Sequence, residues 1–310
     1  MEWKVVVANT GEDSIGIIDL QKKYACEIIS IISFLKKEND LNIYLDNYQL
    51  GPYDLCLSSY KDKIYLANAY DNSIFKIDIY NKKIDDILAV GRFPSCVRVY
   101  DELIFVSNSD SNSVSIIDEK SFKLIENIQV GENPEDIEID RISKKIYIAN
   151  NNGHSISVID LKKDNIEKIK LDKNPIRICL EDESIYMLSR FNNGTLNNSN
   201  FSVLNIKDFN IVKSIDIKGI FNNMIKINNK DIVYITSLEN GYLNKIDIKN
   251  GKIVSNKYIG GMPNKMLWIA PNILFITNIS QKNITIFDTI EGKIIKNLEV
   301  GSEPNGLIIF

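Results

Sequence analysis

The chain has 310 residues, of which 44% are hydrophobic and 25% are charged, a composition typical of soluble globular proteins. Its formal net charge of -4 argues against a broad surface for nucleic acid or for an anionic membrane, since either would need a clustered excess of Lys and Arg. No apolar run approaches the roughly 20 residues that a membrane span requires, so we expect neither nucleic acid nor a membrane as a partner.

The N-terminus and the cysteines give no sign of export or of disulfide chemistry. The first residues, MEWKVVVANT, lead directly into a predicted strand, without the basic and long apolar segments of a secretory signal. This pattern predicts a cytoplasmic protein. No CxxC spacing is present, so we expect buried free thiols at Cys26, Cys56, Cys96 and Cys179.

One unit of about 40 residues repeats along the chain, and residues 91–130 give its clearest copy. Successive units are 40, 40, 41, 47, 41 and 41 residues apart, and their first residues are Gly51, Gly91, Gly131, Asp172, Gly219, Gly260 and Gly301. A period near 40 with four short strands in each unit is the signature of a β-propeller blade.

The four predicted strands of a unit are named A to D. Strand A follows a Gly-x-x-Pro turn, and strand B is the most apolar and ends at a small polar residue, as in Ile146 to Asn150. β-Branched and aromatic runs of this kind suit a strand that is buried on both faces. Strand C ends at an Asp or an Asn, as at Asp118, and strand D continues to the turn of the next unit.

The two ends of the chain complement each other. Six complete units begin near residues 51, 91, 131, 172, 219 and 260, whereas residues 1–32 supply only strands B to D and residues 301–310 only a strand A. We therefore predict an all-β fold, a seven-bladed β-propeller of four-stranded antiparallel blades that forms a single domain over residues 1–310. Its C-terminal strand is expected to pair with Lys4 to Ala8 and so close the ring.

Two segments depart from the repeat. Residues 33–50 form an insertion, for which a lid or an interaction arm is weighed against a packed surface loop. The fifth blade has a predicted long B–C loop from Arg190 to Asn200, whose many Asn and Gly residues are typical of loops.

Two stretches, VSNSDSNSVSIIDEKSFKLIENIQVGENPEDI and IYIANNNGHSISVID, resemble the YVTN-type β-propeller repeat of YncE-like proteins. That repeat combines a Tyr-Val-Thr-Asn-like strand B, a Val-x-Val-Ile-Asp strand C and a Gly-x-x-Pro turn. The resemblance covers nearly the whole chain, although Ser189 and Ser237 replace the expected Asn in two blades. It implies the propeller fold and assigns no catalytic residue. Many relatives are exported, so the resemblance leaves the compartment open.

Alternate positions of strand A carry the candidate binding residues. Counted from the Pro of each turn, the third and fifth positions are apolar throughout, whereas the second and fourth are often charged. This alternation indicates a strand with one packed side and one side that faces the central channel. The predicted ligand-binding residues are therefore the charged residues of that side, Asp54, Arg98, Asp136, Glu138, Arg177, Lys226 and Lys265.

Two interpretations of these charges stay open. The acids lie on the earlier blades and Arg177, Lys226 and Lys265 on the later ones. The channel is either laced by ion pairs and water, or its basic half binds a small polar or zwitterionic ligand or an acidic peptide end. In propellers the turns that precede strand A and the B–C loops share one face, which commonly carries the ligand site.

Catalysis has little support in the sequence. The only histidine, His154, lies at a predicted loop tip, and no Gly-x-Ser-x-Gly elbow is present. We therefore expect no metal centre, no cofactor and no catalytic residue. The enzymatic alternative is a lactonase or other hydrolase that uses Asp136, Glu138 and Arg177.

The function predicted from the sequence is binding without catalysis. We expect a monomeric propeller that recognises a protein, a peptide or a small polar ligand on the face formed by the turns before strand A and the B–C loops. The alternatives are the hydrolase and a structural component of a spore or surface layer.

Overall fold

The computed structural model describes residues 3–35, 49–163, 165–192, 194, 197–269 and 271–310. Within these ranges its strands form seven four-stranded antiparallel sheets. The strands in chain order are β1 (Lys4–Asn9), β2 (Ser14–Asp19), β3 (Ala25–Ser30), β4 (Pro52–Leu57), β5 (Ile64–Asn68), β6 (Ser73–Asp78), β7 (Lys83–Ala89), β8 (Pro94–Tyr100), β9 (Leu103–Asn108), β10 (Ser113–Asp118), β11 (Lys123–Gln129), β12 (Pro134–Asp140), β13 (Lys145–Asn150) and β14 (Ser155–Asp160). They continue with β15 (Asn165–Lys170), β16 (Asn174–Glu181), β17 (Ser184–Asn192), β18 (Asn197–Asn205), β19 (Ile211–Lys218), β20 (Asn223–Lys226), β21 (Ile232–Ser237), β22 (Tyr242–Asp247), β23 (Lys252–Tyr258), β24 (Pro263–Ile269), β25 (Ile273–Asn278), β26 (Asn283–Asp288), β27 (Lys293–Glu299) and β28 (Pro304–Ile309).

Helical structure in the described ranges is confined to short turns. A single α-helical turn, α1 (Ile32–Leu35), follows β3, and 3-10 turns span Thr10–Glu12 and Ser109–Ser111. No helix in these ranges has the length and apolar character needed to cross a bilayer. Residues 36–48, the greater part of the predicted insertion at 33–50, lie outside the described residues, so its role stays a prediction.

The seven sheets are the blades of a propeller, as the sequence predicts. In each sheet the four strands are paired in the order A, B, C, D, as in β12-β13-β14-β15. The seven strands A contact one another in a closed sequence, β28, β4, β8, β12, β16, β20, β24 and again β28. They therefore surround the central channel, and the apolar clusters that form the core lie between neighbouring blades.

The ring closes by pairing the two ends of the chain, which confirms the predicted closure. Strand β28 pairs antiparallel with β1, so that Val5 lies opposite Ile309. Beyond this ladder the Lys4 N–H donates to the carbonyl of Phe310 at 3.0 Å, and the Phe310 N–H donates to the carbonyl of Lys4 at 2.7 Å. The first blade therefore holds the C-terminus as its innermost strand.

The Gly of the turn and the Asn at the end of strand B depend on each other. A Cβ at Gly91 would lie 2.6 Å from Cγ of Asn108, and one at Gly131 would lie 2.5 Å from Cγ of Asn150. The buried Asn108 amide donates to Ser113 Oγ at 3.2 Å and joins the ends of strands B and C. The repeated Gly and Asn are thus explained by packing.

Polar residues at the strand ends mostly bond to the backbone of turns. The Asp118 carboxylate accepts from the Ser121 N–H at 2.7 Å, and Asn112 Oδ1 accepts from the Asn133 N–H of the next blade at 2.9 Å. Such bonds are the usual role of Asx residues in turns. The same bond to a backbone N–H two or three residues later occurs in every blade, at Asp19, Asp78, Asp118, Asp160, Asn205, Asp247 and Asp288.

The fifth blade corrects one prediction. The segment from Arg190 to Asn200 was expected to be a loop, but β17 and β18 extend into it, and Arg190 lies opposite Ser199. The Asn200 amide donates to Ser214 Oγ at 2.8 Å, which ties the extended strand to β19. The Asn-rich composition misled because these side chains find cross-strand partners. Residues 193, 195 and 196 lie outside the described residues.

Deleting residues 301–310 tests the closure. The last four side chains are half-buried, so their burial contributes roughly 3–6 kcal/mol, about half the value for full burial. Because a domain is stable by only about 5–15 kcal/mol, we expect the truncated chain to lose its cooperative thermal transition and to aggregate. Differential scanning calorimetry measures this, with the exposed Glu303→Gln change as the control. Unchanged melting of the truncated chain would contradict the closed ring.

Candidate functional site

The strands A enclose a central cavity of about 580 Å³. Its walls include most of the second and fourth positions of the strands A, together with some of the apolar third and fifth positions. A register shift between the Pro and the second position recurs in most blades, as between Pro134 and Asp136, and such bulges commonly re-aim a side chain. All of the residues predicted from the sequence line this cavity: Asp54, Arg98, Asp136, Glu138, Arg177, Lys226 and Lys265.

Four of these residues form one continuous chain of ion pairs, here called the charge chain. Lys265 Nζ lies 3.2 Å from Asp54 Oδ1, Asp54 Oδ2 lies 3.0 Å from Arg98 Nη1, and Arg98 Nη2 lies 3.4 Å from Asp136 Oδ1. The charges therefore alternate in sign along the chain. Both carboxylates are almost completely buried, so the pairing offsets a large desolvation cost.

The carboxylates of the charge chain also hold neighbouring blades together. Asp54 Oδ2 accepts from the Val97 N–H at 3.1 Å, and Asp136 Oδ2 accepts from the Ile178 N–H at 3.1 Å. In both cases the acid and the N–H belong to adjacent strands A. Burial alone would raise the pKa of Asp54, but the charges of Lys265 and Arg98 and this N–H outweigh it and lower that pKa.

The charge chain corrects the division into an acidic and a basic half. Lys265 and Asp54 are 211 positions apart in sequence, but ring closure leaves only β28 between their strands. At their level β28 carries Gly306, where a Cβ would lie 2.9 Å from both Cα of Asp54 and the carbonyl oxygen of Tyr53. Lys265 therefore belongs to the acidic side of the channel.

Arg177 lies at the mouth of the channel. Its Nη1 donates to the carbonyls of Ile176 at 3.0 Å and of Glu135 at 3.3 Å, and it lies 4.0 Å from the Glu135 carboxylate. Its Nε is buried and has no hydrogen-bond partner among the described residues. Glu135 is not among the predicted residues because it occupies the first position after the Pro, outside the alternation of second and fourth positions.

A second, smaller cavity of about 230 Å³ meets the channel at Arg177. Tyr53 and Phe93 form its aromatic wall, with ring centroids 5.6 Å apart in an edge-on arrangement. Phe93 lies in a turn before strand A and Asp110 in a B–C loop, and both line this cavity. It therefore opens on the face that the sequence predicts for ligands.

Lys226 is fully engaged with the protein. Its Nζ lies 2.5 Å from Glu181 Oε2 and donates to the carbonyls of Ile227 at 3.1 Å and Lys230 at 2.6 Å. The same nitrogen lies 5.0 Å from the ring centroid of Tyr186. These contacts leave Lys226 little capacity to bind a ligand directly.

Glu138 is the exception among the channel carboxyl groups. Its side chain is half-buried and lines the cavity, yet no cation in the described part of the chain lies within 4.0 Å of it. Burial, and then the nearby charge of Asp136, raise its pKa to about 8, and Arg98 opposes this only in part. The carboxyl group is therefore mostly protonated at neutral pH.

The cysteines are free, as predicted, but they are not all buried. Cys96 is buried, whereas Cys56 and Cys179 are half-buried and line the channel. Burial raises the pKa of all three thiols, so they hold little of the reactive thiolate at neutral pH. Over the described ranges no group of three or more His, Cys, Asp or Glu residues could hold a metal ion.

Comparisons with known proteins extend only to the fold. A candidate 6-phosphogluconolactonase from Bacteroides uniformis superposes with a TM-score of 0.74 at 12% identity, and the match covers 100% of both chains. Hydrazine synthase of Kuenenia stuttgartiensis matches with a TM-score of 0.73 at 18% identity over 87% of this chain and 92% of its own. Virginiamycin B lyase from Staphylococcus aureus gives 0.69 at 16% identity over 84% of this chain and 89% of its own.

Sequence comparisons add no family to these structural likenesses. No protein-family model matches the chain, and neither does any curated protein sequence. The solved structures share at most 18% identity with this chain in the three cases above, which establishes the propeller fold and no activity. The resemblance to the YVTN repeat stays a prediction.

Replacing Asp54 by Asn tests the charge chain. The change leaves Lys265 and Arg98 without their shared counter-charge, and breaking a buried ion pair typically costs about 3 kcal/mol or more. We expect a loss of about 3 kcal/mol in the free energy of unfolding, measured by urea denaturation. The control is Asp101→Asn, whose ion pair with Lys144 is exposed and should contribute about 0–1 kcal/mol. Equal effects of both changes would argue against the charge chain.

The titration of Glu138 can be measured directly. Because folding raises its pKa from 4.5 to about 8, the folded protein binds this proton more tightly than the unfolded chain does. Its contribution to stability is complete below pH 4.5 and is lost as the pH rises through about 8. We expect a ¹³C carboxyl resonance that titrates near pH 8 and is absent in Glu138→Gln. A midpoint near pH 4.5 would refute the assignment.

Proposed function

We propose that the protein is a non-enzymatic propeller that binds a small polar ligand in its central channel. The observation that carries this proposal is the state of the channel charges. The charge chain is internally paired, while Glu138 has no ion pair and Arg177, which lines the same cavity, has a buried Nε without an acceptor among the described residues. A cavity in which a few polar groups converge, one of them with a perturbed pKa, is the usual form of a ligand site.

The arrangement favours binding over catalysis. Both oxygens of Asp136 are engaged, one by Arg98 and one by the Ile178 N–H, so Asp136 is poorly placed to act as a general base. Arg177 Nη1 is held by backbone carbonyls. Of the residues named for the hydrolase alternative, only Glu138 remains available, and a hydrolase needs several groups that converge on one substrate.

The ligand is expected to approach from the face of the turns before strand A and the B–C loops. The small cavity walled by Tyr53 and Phe93 lies on that face and meets the channel at Arg177. Loop residues such as Asn72 and Asn112 bond to backbone N–H groups of the next blade. Recognition is therefore expected at the channel mouth, since these loop side chains already have partners.

The enzymatic alternative draws on the structural neighbours. A candidate lactonase and a lyase share the fold, and the raised pKa of Glu138 would suit a general acid near neutral pH. Fold similarity alone transfers no activity, and the engaged Asp136 weighs against this reading. Binding without catalysis is therefore the better supported function.

Filling the channel tests the proposal. Equilibrium dialysis of the protein against a mixture of small amines, carboxylates, amino acids and polyols, followed by mass spectrometry, identifies retained compounds. We expect at least one compound to be retained unchanged, and its retention to fall at least tenfold in Cys179→Trp, since the indole would occupy the cavity. Cys56→Phe, on another blade, provides a second blocked channel.

The control places the same bulk outside the channel. Ile142 is 93% exposed, so Ile142→Trp should retain the ligand like the unmodified protein. If both blocked variants retain the compound as well as the unmodified protein does, the site lies elsewhere. If the unmodified protein retains no compound, the proposal is refuted. Conversion of a retained compound during dialysis would favour the enzyme.

A further inference from the structure

Glu138 is the one carboxyl group among the described cavity-lining residues that has no ion-pair partner. The charge chain and Glu138 together contain three carboxyl groups, Asp54, Asp136 and Glu138, against two cations, Lys265 and Arg98. Both cations are already paired with the two aspartates. Glu138 follows Asp136 by two positions on β12, so both side chains project from the same face of that strand.

None of the charged and titratable groups described around Glu138 forms an ion pair with it. Asp136 lies on its own strand, Arg98 on β8 and the Cys179 thiol on β16. Arg141, from the turn after β12, lies over the ring of Tyr100 at 5.3 Å. A positive group that enters the cavity beside Glu138 would therefore complete the alternation of charges in the charge chain.

A second observation in the same cavity points to a negatively charged group on the ligand. The Asn223 side chain lines the cavity and is only 4% exposed, but its Nδ2 has no hydrogen-bond acceptor among the described residues. Arg177, which is 8% exposed, leaves its Nε in the same state. Strands β16 and β20, which carry these donors, are neighbours, and buried donors without acceptors are costly.

The chemistry of the walls selects an organic ligand over a metal ion. At the level of Glu138 the other fourth positions in the cavity wall include Cys179, Leu267 and Ile308, which offer no carboxylate or carbonyl side chain for a hard cation. Within a strand A the second and fourth positions are two residues, or about 7 Å, apart. Glu138 occupies a fourth position and Arg177 a second position, on neighbouring strands. A short extended molecule could reach both levels.

We propose that the channel binds a small ω-amino acid, with its ammonium group at Glu138 and its carboxylate at Arg177 Nε and Asn223 Nδ2. The proposal rests on the binding function argued above and names its ligand class. Because both donor atoms are buried, the carboxylate has to displace a side chain, and the flexible Met224 next to Asn223 lines the cavity there. Glu138 releases its proton to the solvent when the ammonium binds.

Three probes with the same number of carbon atoms, five, test the two ends separately by isothermal titration calorimetry. They are 5-aminopentanoate, pentylamine and pentanoate. We expect 5-aminopentanoate to bind at least tenfold more tightly than either of the others. Because Glu138 must lose its proton, affinity should rise by up to tenfold per pH unit between pH 6 and 8, with release of one proton.

Two variants and one control complete the experiment. Glu138→Gln should weaken 5-aminopentanoate at least tenfold and abolish the pH dependence, and Asn223→Leu should weaken it while leaving pentylamine unchanged. Glu126→Gln, at an exposed carboxyl group on β11, should change neither. Equal binding of pentanoate and 5-aminopentanoate, or unchanged binding by Glu138→Gln, would overturn the proposal. If no probe binds while dialysis retains another compound in the channel, this ligand class is wrong and the binding function stands.

Discussion

The pairing of β28 with β1 is the constraint on which the rest of the structure depends. It closes the order of the strands A, and this circular order brings Lys265 to Asp54 although 211 positions separate them. Without closure the charge chain would end at Asp54, and a buried carboxylate would lose one of its two cations. The contacts that stabilise the ring and those that shape the cavity are therefore partly the same.

The turns and strand ends of the repeated unit use different residues from those proposed for recognition. The Gly of the turn, the Asn of strand B and the Asp that ends strand C are explained by packing against one another and by bonds to turn N–H groups. These positions recur because every blade needs the same turns. The second and fourth positions of strand A differ from blade to blade, which is where a shared fold leaves room for a specific ligand.

Much of the fold and part of the site could be predicted from the sequence. The period near 40 and the incomplete units at both ends were sufficient for seven blades and for closure, and the alternation in strand A placed Asp54, Glu138 and Lys265 around one cavity. The pairing within that cavity could not be predicted, because it depends on side-chain reach across neighbouring blades. The pKa of Glu138 likewise depends on the burial of its side chain and on its distance from Asp136, and neither can be read from the sequence. Arg190 was misplaced because an Asn-rich run resembles a loop even where its amides pair across strands.

Gly306 shows how a single position links the architecture to the site. Any side chain there would press on the backbone of residues 53 and 54 at 2.9 Å and force the first and second blades apart. Lys265 would then have to extend past that side chain to reach Asp54. If Lys265 no longer neutralised Asp54, Arg98 would interact more strongly with Asp54 and less strongly with Asp136. Both buried aspartates would then depend on one cation, Arg98, which would make it harder to keep them both ionised. The absence of a side chain at Gly306 thus allows both aspartates to be paired and leaves Glu138 as the one carboxyl group among the described cavity-lining residues without an ion pair.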